Sequence, residues 1–365
     1  MNCQRNMSEI RYLLIGDGSS PHLVKWVREL VKYYNVFLIS TQGIHPEITD
    51  LLPSGQLVSL DITMKPEGGN LALLFKIPKV FSLIKMIDPA VVNAHYITSY
   101  GLLAAVVKQL PYKKYLLVQS AWGTDILVTP FANRFYNLAA RYSLNKAQLV
   151  TSDSEYMTAV VKKLSRTPVL TFPFGLDKLP GFDPALKQRG FFFSNRILSE
   201  NYNIDEVLRF FNRIAKDNDQ ARLVIANDGD LRASLEELSR DLKIEDRIQF
   251  RGFIPAAEQE ELYQQAEFFI SIPTSDSTSV SLLEAMAHGC IPIVSDIPAN
   301  QEWVRDGKGG IRYSPELNFS SLEEFRSQGA RAIEINRKLI FEKAIFPDSM
   351  LHFSQYLMKY FEIQG

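Results

Sequence analysis

Residues 273–300 read PTSDSTSVSLLEAMAHGCIPIVSDIPAN and carry the densest structural signal of the sequence. An apolar run ends at Ile272, and a loop of small hydroxyl residues follows it. A helix is predicted to begin near Ser279 and to end at Gly289, before the next apolar run. A strand, a loop, a helix and a second strand in this order predict a βαβ unit with parallel strands.

The start of this predicted helix is a candidate anion site. Backbone N–H groups without an intrahelical acceptor, together with the positive end of the helix dipole, favour a phosphate there. The residues expected to supply these groups are Thr278, Ser279 and Val280. Glu284 lies farther along the same helix, where its carboxylate is suited to accept hydrogen bonds from a ribose diol.

Structural roles for the acids of this stretch stay open. Ser281 and Glu284 have the spacing of a capping box, in which the glutamate would only close the helix start. Asp276 is equally suited to capping a turn.

Outward from this stretch, short apolar runs rich in Val, Ile, Leu and Phe alternate with segments of helical spacing. Each run is too continuous for a half-exposed strand, so it predicts a strand buried on both faces. In the first half the predicted strands are Tyr12–Gly16, Val36–Ser40, Gln56–Asp61, Val91–His95, Tyr115–Ser120, Leu149–Ser152 and Val169–Phe172. In the second half they are Phe191–Asn195, Arg222–Ala226, Arg247–Arg251, Phe268–Ile272, Ile291–Ser295 and Gly310–Tyr313. The pattern predicts an α/β protein with two Rossmann-like, doubly wound parallel sheets.

The length of 365 residues fits two domains. The boundary is expected within 174–188, where Gly175, Pro180, Gly181 and Pro184 cluster without apolar periodicity. This predicts domains at 1–174 and 185–345. Residues 1–170 carry a net charge of +7 and the remainder −8, so the sign changes near this boundary. Ligands of doubly wound sheets bind beyond the carboxyl ends of the strands, so a cleft between the two domains is expected to hold the site.

Composition excludes several classes of protein. A hydrophobic fraction of 46% excludes dominant disorder, and a net charge of −1 lacks the basic excess of nucleic-acid-binding proteins. Two cysteines, Cys3 and Cys290, provide neither a disulfide framework nor a zinc site. No apolar run reaches the about eighteen residues needed to cross a bilayer, and the first twenty residues lack the apolar core of a signal peptide. A soluble, cytoplasmic protein is therefore expected.

The loop and helix with Asp276 and Glu284 seven residues apart, followed by LLEAMAHG and PIVSD motifs, resemble the paired-acid signature of the retaining family 4 glycosyltransferases. The resemblance extends over nearly the whole chain. It includes the FFFSNRILSENYN segment at 191–203 and the IEDRIQFRG segment at 244–252. It implies the GT-B fold, a nucleotide-sugar donor, no metal or other cofactor, and a final helix within 346–365 that crosses back to the first domain.

The resemblance also implies roles for individual residues of the second domain. Arg196 matches the arginine that binds the leaving diphosphate, although a plain surface arginine is the alternative. Glu284 matches the glutamate that holds the ribose hydroxyls, and Asp276 matches the acid beside the donor sugar. The backbone around Phe253 and Ile254 matches the position that reads the base.

Three residues depart from the usual pattern of the family. Asn201 stands in the donor site where lysine is usual, so one positive charge on the diphosphate is missing. Asp276 replaces the more frequent glutamate, which shortens the reach toward the sugar. Trp122, followed by Gly123, replaces a usual histidine, whereas Thr124 and Asp125 still fit.

The first domain carries further candidates at the ends of predicted strands. The glycine-rich turn at 16–20 precedes a helix expected to begin near Pro21. Its Gly18 is a candidate donor contact and its Ser19 an acceptor contact, although a bare turn needs no function. His95 is a candidate catalytic residue, with a satisfied structural histidine as the alternative. Trp122 and Asp125 are candidates on the acceptor side.

Basic and apolar residues alternate in two early segments. Lys25, Arg28 and Lys32 accompany Trp26, and Lys76, Lys79 and Lys85 interleave with Phe75, Ile77, Val80, Phe81, Leu83 and Ile84. Such mixing suits the surface of an anionic membrane, and an ordinary solvated helix face is the alternative.

The function implied is transfer of a sugar from a nucleotide-sugar donor to a saccharide or lipid-linked saccharide, with retention, in bacterial surface polysaccharide synthesis. The protein is expected to be cytoplasmic, with the inner face of an anionic membrane as a candidate partner and with no nucleic-acid partner. Two alternatives remain: a sugar-nucleotide epimerase of the same fold, and a nucleotide-sugar-binding module without turnover. The Asp228-Gly229-Asp230 sequence follows a donor-domain strand and is interpreted as a turn, so no metal is assigned.

Overall fold

The computed structural model describes residues 7–62 and 71–364, so Cys3 lies outside the described residues. It divides into two compact units. One runs to Phe172 and resumes at Pro347, and the other runs from Pro173 to Phe346. The first unit thus ends two residues before the position expected from the sequence.

The first unit is built on a seven-stranded parallel sheet with the order β3-β2-β1-β4-β5-β6-β7. Its strands are β1 (Arg11–Gly16), β2 (Asn35–Ser40), β3 (Leu57–Ser59), β4 (Val91–His95), β5 (Leu116–Ser120), β6 (Leu149–Ser152) and β7 (Val169–Thr171). The helices between β1 and β7 are α1 (Pro21–Leu30), α2 (Pro46–Leu51), α3 (Ile77–Ile87), α4 (Leu102–Val107), α5 (Thr124–Leu127), α6 (Thr129–Ala132), α7 (Arg134–Lys146) and α8 (Glu155–Leu164).

The second unit has a six-stranded parallel sheet with the order β10-β9-β8-β11-β12-β13. Its strands are β8 (Gln188–Ser194), β9 (Arg222–Ala226), β10 (Ile248–Gly252), β11 (Ala266–Ser271), β12 (Ile291–Val294) and β13 (Ile311–Arg312). Its helices are α9 (Ile204–Asp217), α10 (Arg232–Asp241), α11 (Ala256–Gln265), α12 (Val280–Ala287), α13 (Pro298–Gln301), α14 (Phe319–Arg326) and α15 (Gly329–Lys343).

All thirteen predicted strands occur, and the prediction of two doubly wound parallel sheets is confirmed. The reason is burial on both faces: β4 and β5 are buried along their whole length, and the helices cover both sides of each sheet. The largest error in length is at β3. Residues Ser54–Gln56 form a 3-10 turn, so the strand expected to begin at Gln56 starts one residue later and ends at Ser59.

The last helix, α16 (Phe346–Gln364), packs into the first unit. Its Phe353 is fully buried, and the ring centroid lies 5.8 Å from that of Trp26 and 5.9 Å from that of Phe172. Trp26 is therefore a core residue of α1, which explains the apolar face of that helix.

The membrane interpretation of the two early segments gains no support from the fold and stays a prediction. In α1, Arg28 pairs with Glu47 at 2.5 Å, and Glu29 pairs with Lys32, just beyond the helix, at 2.6 Å. In α3, Val80 and Ile84 are fully buried, and Ile77, Phe81 and Leu83 pack against the same core. The fold thus explains most of the apolar residues in these segments, so their alternation with basic residues carries no evidence for a lipid surface.

The chain segments that open and close the second unit pair with each other. The Leu176 N–H donates to the Ala344 carbonyl at 2.7 Å, and the Phe346 N–H donates to the Leu176 carbonyl at 2.7 Å. A Cβ at Gly175 would lie 1.9 Å from the Ala344 oxygen, so only glycine allows this approach.

We expect Gly175→Ala to separate this pair of segments and to lower the melting temperature by about 5 °C, as overpacking does in tight sites. Gly181→Ala is the matched control, because a Cβ there meets nothing within 4 Å. Thermal unfolding followed by circular dichroism measures both. Equal melting temperatures for the two variants would contradict the proposed constraint.

Candidate functional site

The helix start predicted from the sequence lies at α12. Ser279 is the N-cap, and its hydroxyl accepts a hydrogen bond from the Leu282 N–H at 3.3 Å. Gly289 has a φ of +75°, which places it in the left-handed region just beyond the helix. The first turn of α12 therefore presents backbone N–H groups that lack an intrahelical acceptor.

Arg196 lies against this helix start. Its Nη1 donates to the Ser281 hydroxyl at 2.7 Å and also to the Ser279 hydroxyl. Its Nη2 donates to Asp276 Oδ2 at 2.6 Å, which forms an ion pair. The structure thus brings Arg196 against Asp276 and the helix start, which lie 80 or more residues farther along the chain.

The Arg196 side chain is only 10% exposed, which makes its charge costly without an anion. Its guanidinium lies 4.4 Å from the centroid of the Tyr202 ring, and its Nε is buried without a hydrogen-bond partner among the described residues. Burial raises the pKa of Asp276, and the Arg196 guanidinium opposes that rise. A preorganised, water-poor cation at a helix N-terminus is suited to bind an anion.

Asn201 holds the loop that precedes α12. Its side-chain amide donates to the Ser275 carbonyl at 2.9 Å, and its side-chain oxygen accepts from the Ser275 N–H at 3.2 Å. Asn203 adds a donor to the Ile272 carbonyl at 2.9 Å. The predicted donor contact of Asn201 stays a prediction, whereas its support of the Asp276 loop is direct.

Glu284 is held by helix α11. Its Oε2 accepts from the Tyr263 hydroxyl at 3.0 Å and from Gln259 Nε2 at 3.1 Å. The N-cap is Ser279 rather than Ser281, so the capping-box alternative for Glu284 is wrong. The Ser281 hydroxyl instead accepts from Arg196.

Phe253 follows β10 and is 79% exposed, a large fraction for an aromatic side chain. The preceding Gly252 has a φ of +67° and its carbonyl accepts from the Asn227 N–H at 2.6 Å. The loop that carries Phe253 and Ile254 is thereby anchored to the end of β9. Their role in reading a base stays a prediction.

Several supporting residues were missed by the sequence reasoning. Tyr202 lies under Arg196, and Tyr263 and Gln259 hold Glu284. Gln259 and Tyr263 are four residues apart on one helix face, which is a usable signal. Tyr202 has no such signal, because only the folded loop places its ring against the guanidinium.

In the first unit the glycine-rich turn is held by hydrogen bonds within the protein. The Gly18 N–H donates to the Ser40 hydroxyl at 2.9 Å, so this group is engaged within the protein. The Ser19 N–H and hydroxyl both donate to Asp17 Oδ1, at 3.0 and 2.6 Å. The roles predicted for Gly18 and Ser19 stay predictions, and the contacts describe a turn held by Ser40 of β2 and by its own Asp17.

His95 ends β4 in an aromatic surrounding. Its Nδ1 accepts from Trp122 Nε1 at 3.2 Å, and its ring lies 4.9 Å from the Trp26 ring. The residue is 3% exposed, and burial lowers the pKa of His95 to about 3. The imidazole is therefore neutral at pH 7, and its proposed catalytic role stays a prediction.

Asp125 joins the loops after β4 and β5. Its Oδ2 accepts from the Ile97 N–H at 2.7 Å and its Oδ1 from the Trp122 N–H at 3.0 Å. The carboxyl is fully buried, and burial raises the pKa of Asp125 to about 6 against the opposing effect of these backbone hydrogen bonds. Asp125 thus positions the two loops that carry Tyr96 and Trp122.

Tyr96 is strained, with a φ of +72° and a ψ of 104°. A π-helical turn, Ile97–Gly101, follows it directly. Such conformations persist only where surrounding contacts impose them, and they concentrate at functional sites. The Asp125 bond to Ile97 is one such contact.

The described residues contain no group of three or more His, Cys, Asp or Glu side chains that is arranged to hold a metal ion. Asp228, which the sequence placed in a turn, accepts from the Gly229 N–H at 2.8 Å and from Arg232 at 3.3 Å. Within the described part of the chain, no helix combines the length and the hydropathy needed to cross a bilayer.

Two family models match the chain, and together they cover well over half of it. Residues 11–154 match the model described as glycosyl transferase 4-like, and residues 182–324 match the model of glycosyl transferases group 1. The two matches fall on the two units.

Curated relatives match over parts of their length. The chain is 34% identical over 119 residues to an alpha-monoglucosyldiacylglycerol synthase of Streptococcus pneumoniae, which is 33% of this chain and 27% of that protein. It is 28% identical over 236 residues to a GDP-mannose:cellobiosyl-diphosphopolyprenol alpha-mannosyltransferase of Xanthomonas oryzae pv. oryzae, which is 60% of this chain and 59% of that protein.

Among solved structures, HepE of Anabaena in complex with UDP superposes with a TM-score of 0.75 at 14% identity. The match covers 96% of this chain and 100% of HepE. At this level of identity the likeness shows the fold alone, which is the GT-B fold expected from the sequence.

The raised pKa of Asp125 has a consequence for stability. The pKa of an unfolded aspartate is about 4, so between about pH 4 and 6 the folded protein holds a proton that the unfolded chain releases. The contribution of Asp125 therefore falls as pH rises through that interval. We expect the free energy of unfolding of wild type to fall by about 2–3 kcal/mol relative to that of Asp125→Asn between pH 4 and pH 7.

Denaturant unfolding at several pH values measures this difference. Asp50→Asn, which removes an exposed carboxylate of α2, controls for the loss of one charge. A difference that stays constant with pH would show that the Asp125 carboxyl is not held as described.

Proposed function

The chain belongs to the family 4 glycosyltransferases, and from that premise we propose that it transfers a sugar from a nucleotide-sugar donor to a saccharide or lipid-linked saccharide. The transfer retains the anomeric configuration, as the family resemblance implies. The second unit binds the donor, and the first contributes the acceptor side with Ser19 and with Trp122, whose loop the buried Asp125 positions.

One observation carries this proposal: a nearly buried guanidinium lies on a helix N-terminus and is balanced by a single carboxylate. Arg196 donates to two hydroxyls of the α12 start and to Asp276. A diphosphate offers two or more anionic oxygens, which match both the guanidinium and the free N–H groups of the first turn.

Departure of the sugar leaves negative charge on the diphosphate. Arg196 and the α12 start stabilise that charge as it develops, and because they are fixed in advance they need little reorganisation. Removal of one such donor in enzymes typically costs about 3–4 kcal/mol of barrier stabilisation. Asp276, released when the diphosphate takes its place on Arg196, becomes available to the donor sugar.

The acceptor hydroxyl must lose a proton during transfer. A phosphate oxygen of the leaving diphosphate can take it on the same face of the sugar, which agrees with retention and needs no separate general base. His95, whose pKa is lowered to about 3 by burial, is suited to act as a neutral hydrogen-bonding group rather than as the base.

The Glu284 carboxylate is assigned to the ribose hydroxyls. Tyr263 and Gln259 fix one of its oxygens, which orients the carboxylate for a diol. Phe253, with its exposed ring, and the backbone of Ile254 are assigned to the base. HepE was solved with UDP and the Xanthomonas relative is named for GDP-mannose, so both nucleotides belong in a first screen.

The acceptor is proposed to be lipid-linked. One relative is named for a glycosylated diacylglycerol and another for a diphosphopolyprenol sugar. Lipids of these kinds lie in the membrane, so we place the enzyme at the cytoplasmic face of an anionic bilayer, in the assembly of a bacterial surface glycolipid or polysaccharide.

Arg196→Ala should lower the rate of sugar transfer by about 10²–10³-fold, because the leaving diphosphate loses one preorganised cation. The measurement is turnover of UDP-sugars and GDP-sugars with a bacterial lipid extract as acceptor. Arg189→Ala is the matched control. The Arg189 side chain is 65% exposed and pairs with Glu323. An unchanged rate in Arg196→Ala would remove the assigned diphosphate role.

Glu284→Gln should mainly raise the Michaelis constant for the nucleotide sugar by about 10-fold or more, since hydrogen bonds to a charged group contribute about 1.5–3 kcal/mol. Glu260→Gln, on the exposed side of α11, is the control. Loss of stability with an unchanged Michaelis constant would instead assign Glu284 a purely structural role through Tyr263.

A further inference from the structure

Helices α6 and α7 expose a group of large apolar side chains, here named the α6–α7 surface. Five of the fourteen exposed large hydrophobic residues of the described chain fall within fifteen positions. They are Val128 (50% exposed), Phe131 (60%), Phe135 (59%), Leu138 (67%) and Tyr142 (38%). Single exposed apolar residues are ordinary, but a contiguous group of them marks an interaction surface.

The spacing on α7 places three of these residues on one side of the helix. Phe135, Leu138 and Tyr142 follow the i, i+3, i+7 pattern. Ala140 and Leu144 are fully buried and already face the protein core. One side of α7 therefore packs on the core, and the exposed apolar stripe lies on a different side of the helix.

Positive charge surrounds the stripe. Arg134, Arg141 and Lys146 lie on α7, and the sequence contains no Asp or Glu between Asp125 and Asp153. The Arg141 guanidinium donates to the Leu164 carbonyl at 3.4 Å and to the Lys163 carbonyl at 3.5 Å. The basic end of α8 therefore lies beside α7.

These positive charges are not balanced by acids. Lys162, Lys163 and Arg166 are exposed, as are Arg134 and Arg141. None of them forms an ion pair with another of the residues that the structure describes, in contrast to Arg28 of α1 and to Lys32, which follows that helix. Aromatic and aliphatic side chains within a basic rim match an anionic lipid surface, which offers apolar depth and negative headgroups.

Resting on the proposed function, in which the acceptor is a lipid, we propose that the α6–α7 surface docks the enzyme on an anionic bilayer. Phe131, Phe135 and Leu138 enter the boundary between headgroups and acyl chains. The basic residues of α7 and the end of α8 contact the headgroup phosphates.

A second copy of the chain is a poorer occupant. In a twofold interface the same patch meets itself, so two basic rims without acids would face each other. Charge complementarity therefore favours the lipid surface over self-association.

The test is co-sedimentation with vesicles of phosphatidylcholine containing about one third phosphatidylglycerol, compared with pure phosphatidylcholine. We expect wild type to bind the anionic vesicles, and Phe135→Ser/Leu138→Ser to lower the partition coefficient at least about tenfold. Phe75→Ser/Met86→Ser, which removes exposed apolar residues of the earlier basic segment, is the matched control and should bind as wild type does.

A second variant, Arg134→Gln/Lys163→Gln, keeps the apolar stripe and should weaken binding while reducing its dependence on salt. Wild type that fails to bind, a Phe135→Ser/Leu138→Ser variant that binds normally, or loss of binding only in Phe75→Ser/Met86→Ser would overturn the proposal. So would a wild-type dimer that becomes a monomer in Phe135→Ser/Leu138→Ser.

Thermal stabilisation by UDP or GDP separates this inference from the proposed function. Stabilisation equal to that of wild type in Phe135→Ser/Leu138→Ser shows that the variant is folded and that its nucleotide site is intact. Wild type that binds anionic vesicles but gains no stability from either nucleotide would refute the donor site and leave the docking surface standing.

Discussion

The second unit depends on one electrostatic constraint: the guanidinium of Arg196 is largely removed from water and must have an anionic partner. Asp276 supplies it at 2.6 Å, and the hydroxyls of Ser279 and Ser281 accept hydrogen bonds from Nη1. An ion pair with this degree of burial adds little net stability, because desolvation offsets most of the attraction. Its value lies in holding a cation on the α12 start, where an incoming diphosphate can replace the carboxylate.

The neighbouring loops are built to keep that arrangement in place. Asn201 binds both backbone groups of Ser275, and Asn203 binds the end of β11, so the loop carrying Asp276 is fixed from the side of β8. In the first unit, the carboxylate of Asp125 likewise fixes the loops after β4 and β5 by accepting hydrogen bonds from their backbone. In both units the strand order brings the loops together, and a short polar side chain then fixes their positions.

The strands and the start of α12 could be predicted from the sequence, whereas the contacts between side chains from different loops could not. Buried parallel strands are continuous apolar runs, so all thirteen were found, and the helix start at Ser279 follows from its N-cap chemistry. Arg196 and Asp276 were each singled out, but their mutual ion pair depends on the loop geometry. The same holds for Tyr202 under the guanidinium and for Tyr263 beside Glu284. Trp26 was misassigned to a surface because its partners, Phe172 and Phe353, come from distant parts of the chain.

The most direct measurement is a crystal structure of the protein with UDP or GDP, whichever binds more tightly. A diphosphate oxygen within hydrogen-bonding distance of Arg196, with a second oxygen on the backbone N–H groups of the first turn of α12 and Asp276 displaced from the guanidinium, is the result expected. A diphosphate bound elsewhere, with the Arg196–Asp276 pair intact, would contradict the central role given to this arginine.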